Sequence, residues 1–205
     1  VAFTYKGNQL FINASIGISL FPDHGTDVDA LLKNADLAMY KAKNMGGHSC
    51  IVYNSIMNDE NIHMLETEKN LKNALENNEF ITYYQPIIDL KSMKVLSAES
   101  LIRWKRDEKI IQPMEFISIA KKIDKMVEID NWMLYNACVQ CKKWQELGVK
   151  NFNISVNTSY KQLIQINFVQ FVMNILHEHS LDPKYLTLEV TEDRKSTRLN
   201  SSHRL

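Results

Sequence analysis

The chain contains no run of about 18 apolar residues, so it encodes no membrane-spanning helix. Its first residues, Val1-Ala2-Phe3-Thr4-Tyr5, have neither the basic end nor the apolar core of a secretory signal. They also lack an initiator Met, and the true N-terminus is expected upstream. Cysteine is scarce. Cys50, Cys138 and Cys141 are too few for a disulfide framework and fit a reducing cytoplasm, with or without a membrane tether further upstream. Net charge is absent as well, at +0, which argues against a protein that grips a nucleic acid polymer by charge. What remains is 205 residues, 45% hydrophobic and 23% charged, the make-up of a soluble globular protein large enough for one domain or pieces of two.

The charge is unevenly spread. Residues 193–205 carry Arg194, Lys195, Arg198 and Arg204 against Asp193 alone. Setting them aside takes 24 Lys+Arg to 20 and 24 Asp+Glu to 23, a net of −3 for residues 1–192. This tail has no hydrophobic periodicity and follows a well-patterned strand abruptly. It reads as a translated sequencing-adapter segment and is set aside from fold and function. The alternative is a basic, disordered C-terminal tail.

Residues 11–21 alternate and are rich in β-formers, and Pro22-Asp23-His24-Gly25 is a turn cluster. Thr26 is placed to cap a helix, with Asp29 at the reciprocal position. Val28, Leu31, Leu32, Ala35, Met39 and Ala42 form an apolar stripe at helical spacing, and Gly46-Gly47 stops it. A strand is expected at 49–53. Residues 55–79 are polar, with Met64, Leu71 and Leu75 at helical spacing, and join this block to the next as a helical linker. From Phe80, strands are expected at 80–89, 94–104, 151–157 and 186–192, and helices at 113–124, 128–147 and 160–179. After the first two strands, strand and helix alternate, as parallel βα units require.

Side chains of a strand alternate between faces. On 96–104, Leu96, Ala98, Ile102 and Trp104 oppose Ser97, Glu99, Leu101 and Arg103. On 151–157, Phe152, Ile154 and Val156 oppose Asn153, Ser155 and Asn157. On 186–192, Leu186, Leu188 and Val190 oppose Thr187, Glu189 and Thr191. Each strand has one apolar face for helices and one with polar groups near its C-terminal end, where the chemistry of a βα barrel sits. Glu99, Asn157 and Glu189 offer only hard oxygen ligands, suited to Mg²⁺ or Mn²⁺. Arg103 shares the Glu99 face and is suited to hold a phosphate bidentately.

Four stretches now stand in order: Tyr84-Gln85-Pro86-Ile87, Glu99-Ser100-Leu101-Ile102-Arg103-Trp104, Ser155-Val156-Asn157-Thr158-Ser159 and Leu188-Glu189-Val190-Thr191-Glu192. With Pro113, Phe116-Ile117, Ala137-Cys138 and Trp144 between them, they resemble the first half of an EAL-type cyclic-di-GMP phosphodiesterase domain over residues 80–192. The resemblance implies an α/β fold, an incomplete TIM-type (β/α) barrel whose first strand pair is antiparallel. It implies metal ligation by Glu99, Asn157 and Glu189, a substrate phosphate on Arg103, Gln85 near the dinucleotide, and Glu192 steadying a downstream loop. The family's reaction hydrolyses one phosphodiester of cyclic di-GMP, with two metals, Mg²⁺ or Mn²⁺, activating a water. Ser100 stands where the family has Ala; by parity it faces the helices and leaves the metal face intact.

Residues 1–54 resemble the C-terminal part of a GGDEF, or diguanylate cyclase, domain. The matching stretches are Ser15-Ile16-Gly17-Ile18-Ser19 and Ala35-Asp36-Leu37-Ala38-Met39-Tyr40-Lys41-Ala42-Lys43, with Gly46 after them. Lys43 stands where that family binds a nucleotide phosphate, whereas Gly47 and His48 replace an Arg and an Asn. A tandem GGDEF–EAL protein leaves three functions open for the parent: phosphodiesterase, non-catalytic cyclic-di-GMP receptor, or mainly cyclase. A homodimer through either domain is compatible with the resemblance.

A lone carboxylate near a strand end is ordinarily a polar strand residue, and a lone Arg a surface or ion-pair residue. Three oxygen ligands on equivalent faces within matching motifs weigh towards a site. Cys138-Val139-Gln140-Cys141 is a single C-x-x-C on an amphipathic helix with no second pair to complete a zinc site, so core packing is expected. His177 and His179 are expected on the surface. A full barrel takes about 250 residues, and residues 80–192 include no counterpart of the family's downstream Asp-Asp pair, Lys, Glu and Gln. The purified 205-residue chain, supplied with Mg²⁺ or Mn²⁺, is therefore expected to leave cyclic di-GMP intact; chromatographic appearance of the linear dinucleotide contradicts that expectation.

Overall fold

The computed structural model describes residues 2–5, 8–11, 13–149 and 151–190; Glu192 and the tail at 193–205 lie outside them. The chain divides into two compact units, Val1–Glu66 and Thr67–Leu205.

In the first unit, β1 (Ala2–Tyr5) and β2 (Asn8–Phe11) form an antiparallel pair. Strand β3 (Ile16–Ile18), helix α1 (Val28–Asn44) and strand β4 (Cys50–Val52) form a parallel crossover with Ile16 opposite Cys50. Gly17 is what lets α1 lie on β3. A Cβ there would stand 2.0 Å from the Ala35 carbonyl oxygen and 2.3 Å from the Met39 nitrogen. Helix α1 is capped by Asp27, not Thr26: the Asp27 carboxylate accepts from the Ala30 N–H at 2.8 Å. A carboxylate at the N-cap also meets the positive end of the helix dipole, which a hydroxyl does not. The packed face of α1 is centred on Ala38 and Ala42, while Val28 and Leu32 of the expected stripe are exposed. The glycine stop is as expected, with Gly46 and Gly47 at positive φ and the Gly47 N–H returning to the Ala42 carbonyl. Helix α2 (Ile56–Leu71) follows, and Leu75 falls in the turns beyond it.

In the second unit, β5 (Phe80–Ile88) and β6 (Val95–Arg106) form an antiparallel hairpin, and β7 (Lys109–Ile111) pairs with the far end of β6. Helices α3 (Pro113–Lys122) and α4 (Met126–Glu146) lead to β8 (Asn153–Thr158), which lies parallel to β6. Helices α5 (Tyr160–Leu163) and α6 (Phe168–Glu178) lead to β9 (Leu186–Val190), parallel to β8. The sheet order β5-β6-β8-β9 is an open α/β arrangement of the TIM-barrel type. The single helix expected at 160–179 is two. Ser159 caps α5, the Ile164 N–H closes on the Tyr160 carbonyl, and the chain restarts at buried Phe168.

The core lies between the sheet and α3 and α4. Ala98, Ser100, Ile102 and Trp104 are buried, whereas Ser97, Glu99, Leu101 and Arg103 between them are partly exposed. Phe80, Trp104 and Phe116 form a mutual aromatic cluster with centroids 5.7–6.3 Å apart. Cys138 and Cys141 are fully buried, and burial pushes their thiols up to about 12 and about 11, so they pack as small apolar residues. His179, expected on the surface, is partly buried with its ring edge-on to Tyr135 at 5.1 Å. His177 is exposed.

Ser100 and Asp130 are among the polar side chains buried in this core. The Ser100 hydroxyl, 1% exposed, donates to the Ser155 carbonyl at 2.7 Å and so ties β6 to β8 from the helix side. Asp130 of α4 is 5% exposed and takes hydrogen bonds from the hydroxyl and N–H of Ser159, immediately before α5. Its Oδ2 has no protein partner. Burial pushes the Asp130 carboxyl up to about 6, against these Ser159 bonds, which pull it down. The folded state therefore holds this proton through a window in which the unfolded chain has lost it, from about pH 4 to about pH 6. Stability from this group is complete below that window and is lost as pH rises through it. Relative to Asp130→Asn, the wild type should lose on the order of 2 kcal/mol between pH 4 and pH 7 in urea unfolding; a pH-independent difference between the two contradicts the assignment.

Candidate functional site

Strand register gathers four polar side chains on the sheet face away from α3 and α4. Gln85 on β5 stands directly opposite Glu99 on β6. Asn157 on β8 stands opposite Glu189 on β9. The two pairs are joined by a hydrogen bond from the Asn157 amide nitrogen to Glu99 Oε1 at 2.7 Å. The sequence reason is parity: burial of Ala98, Ser100, Ile154 and Val156 commits Glu99 and Asn157 to the opposite face. Glu99 and Asn157 are half-buried; Gln85 and Glu189 are exposed.

Arg103 lies on the Glu99 face, four residues further along β6, and is partly exposed. Its guanidinium lies 5.2 Å from the centre of the Tyr83 ring, and Nη1 donates to the Ile102 carbonyl at 2.7 Å. The structure thus brings Gln85, Glu99, Asn157 and Glu189 into one row and sets Arg103 on the same strand as Glu99. Lys43 is an exposed residue of α1, in the first unit.

Glu99, Glu189 and Asn157 present two carboxylates and an amide on this face. Among the described residues, no three His, Cys, Asp or Glu side chains cluster closely enough to hold a metal by themselves. Asn157 hydrogen-bonds the Glu99 carboxylate and is the register partner of Glu189.

A cavity of about 340 Å³ opens beside Asn157, between the middle of β6, the end of β8 and helices α3 and α4. Its walls include Ile102, Pro113, Ile117 and Met126, and it is also lined by Asp130 and Thr158. Thr158 Oγ1, like Asp130 Oδ2, is buried without a protein hydrogen-bond partner. Sequence reasoning missed both residues. The signal for Asp130 was there: it interrupts the buried stripe Met126, Ile129, Met133, Leu134, Ala137 of α4, a place that helical periodicity reserves for an apolar side chain.

Residues 68–205 match the family model described as the EAL domain, and residues 1–49 match the one described as the diguanylate cyclase GGDEF domain. The chain is 37% identical over 186 residues to the bifunctional diguanylate cyclase/cyclic di-GMP phosphodiesterase MucR of Pseudomonas aeruginosa, covering 90% of this chain and 27% of that protein. It is 33% identical over 185 residues to the cyclic di-GMP phosphodiesterase PdeR of Escherichia coli, covering 90% of this chain and 28% of that one. It thus spans roughly a quarter of the length of these relatives. Among solved structures, the P. aeruginosa MucR phosphodiesterase in complex with c-di-GMP is 33% identical with a TM-score of 0.59, over 65% of this chain and 57% of that one. An EAL enzyme solved with cAMP and cyclic di-GMP bound is 25% identical with a TM-score of 0.61, over 84% of this chain and 46% of that one. Sheet order, residue pattern and family match agree: the chain belongs to the EAL domain family and carries GGDEF-domain sequence at its N-terminus.

Proposed function

We propose that this protein serves cyclic-di-GMP signalling: residues 80–192 supply the cation- and phosphate-binding face of an EAL domain that, when intact, hydrolyses one phosphodiester of cyclic di-GMP to give the linear dinucleotide. The observation that carries the reading is the Glu99–Asn157 hydrogen bond, with Gln85 and Glu189 in register on either side of it. An amide donating to a carboxylate at this point holds two oxygen-bearing groups on neighbouring strands in contact. Glu99, Asn157 and Glu189 would hold Mg²⁺ or Mn²⁺. A divalent ion bound there supplies Lewis-acid polarisation of a phosphoryl oxygen and a water of lowered pKa.

The chain's own groups then divide the ligand between them. Arg103 presents a planar fork of N–H donors that suits a phosphodiester, four residues along β6 from Glu99. Gln85, in register with Glu99, reaches the same face with an amide that both donates and accepts. The shared P. aeruginosa MucR phosphodiesterase fold, in complex with c-di-GMP, supports the ligand assignment.

Binding separates this reading from a fold-only likeness. With Mg²⁺ present, the chain should bind cyclic di-GMP in calorimetric titration. Arg103→Ala should weaken that binding about tenfold, the worth of one charge-assisted phosphate contact. Equal binding by wild type and Arg103→Ala, or no binding by either, contradicts it.

A further inference from the structure

Arg103 does not lie loose on the sheet surface. Its guanidinium sits over the Tyr83 ring at 5.2 Å, and Nη1 is anchored to the Ile102 carbonyl at 2.7 Å. Tyr83 belongs to β5, where its register partner is Leu101, while Arg103 is opposite Ile81. Tyr83 and Arg103 are thus diagonal neighbours across the hairpin, on the face that also carries Gln85 and Glu99. Tyr83 is 47% exposed, so burial of its own ring does not account for its presence there.

The chemistry of the contact is directional. A ring attracts a guanidinium through its π face and leaves the N–H donors on the guanidinium edge unused. The Ile102 carbonyl uses one donor on Nη1 and fixes rotation within the plane. Ring and carbonyl together set both the tilt and the spin of the fork, while its remaining N–H groups stay available. A long Arg side chain otherwise loses much rotamer freedom when it grips a ligand, and a side chain already held in place loses less.

We infer that Tyr83 is a positioning residue for phosphate recognition: its aromatic face holds the Arg103 guanidinium in the orientation that receives a phosphodiester. The inference rests on the reading of Arg103 as the phosphate-binding group. It does not need the Tyr83 hydroxyl, and that makes it separable from a general structural role or a hydrogen bond to the ligand. Any flat π face at position 83 serves; an aliphatic or small side chain does not.

The test uses the whole 205-residue chain and two variants, Tyr83→Phe and Tyr83→Ala. In ¹H–¹⁵N spectra, the Arg103 Nε–Hε resonance should be displaced by the ring current in wild type and Tyr83→Phe, and should return towards the position of a free arginine in Tyr83→Ala. In calorimetric titration with cyclic di-GMP and Mg²⁺, Tyr83→Phe should bind within twofold of wild type. Tyr83→Ala should bind about three- to tenfold more weakly, the range expected for one cation–π contact. An Arg103 resonance that ignores the Ala substitution overturns the inference. So does full-strength binding by Tyr83→Ala, or binding by Tyr83→Phe as weak as that of the Ala variant. Wild type that binds no cyclic di-GMP instead overturns the ligand reading beneath it, so the two failures are told apart.

Discussion

The two-residue period of β6 is the constraint on which the site depends. Ala98, Ser100, Ile102 and Trp104 are buried against the helical layer, and no strand can turn those four inward without turning Glu99 and Arg103 outward. A slip of one residue against β5 or β8 would bury the carboxylate and expose the indole of Trp104, so hydrophobic burial and site placement enforce one register. Both neighbours of β6 are locked to it: β5 by a long antiparallel ladder, and β8 by the parallel ladder plus the Ser100 hydroxyl on the Ser155 carbonyl. The Ser that replaces the family's small apolar residue therefore adds a tether at the level of Glu99 without reaching its face.

Helix α4 carries the opposite kind of feature. Most of its inward residues are apolar, including Cys138 and Cys141, whose thiols burial holds in the neutral form. Asp130 is the exception. A carboxylate in that position is costly, and only one of its oxygens is matched, by Ser159. Thr158, next to Asn157, leaves a second buried polar atom without a partner. Orphaned polar groups inside a well-packed layer tend to mark places where a ligand completes the bonding, and both of these line one cavity.

Much of this was legible in the amino-acid sequence because it is written in periodicity. Alternation on three strands was enough to put Glu99, Asn157 and Glu189 on equivalent faces, and the antiparallel first pair followed by parallel strands is as expected. Features decided by a competition between nearby candidates were less legible. Asp27 outcompetes Thr26 as the cap of α1, because the helix starts one residue later than the hydroxyl would allow. The apolar run from Leu163 to Phe171 reads as one helix, yet the chain breaks between α5 and α6, with Gln162 anchored to Asn131 before the break. Asp130 was passed over because it carries no motif, and a single acid within an apolar stripe is noticed only when the stripe is known to be buried. His179 looked like a polar helix end, and only the fold sets it against Tyr135.

Glu99, Asn157 and Glu189 are proposed to form one cation-binding face. Paramagnetic Mn²⁺ tests it without any requirement for turnover. Titrated into the ¹⁵N-labelled chain, Mn²⁺ should broaden the side-chain amide signals of Asn157 and Gln85 before those of Gln170 or Asn174, which lie on α6, and Glu99→Gln should abolish that selectivity. Broadening that is uniform over the surface, or that survives Glu99→Gln unchanged at Asn157, would contradict the account.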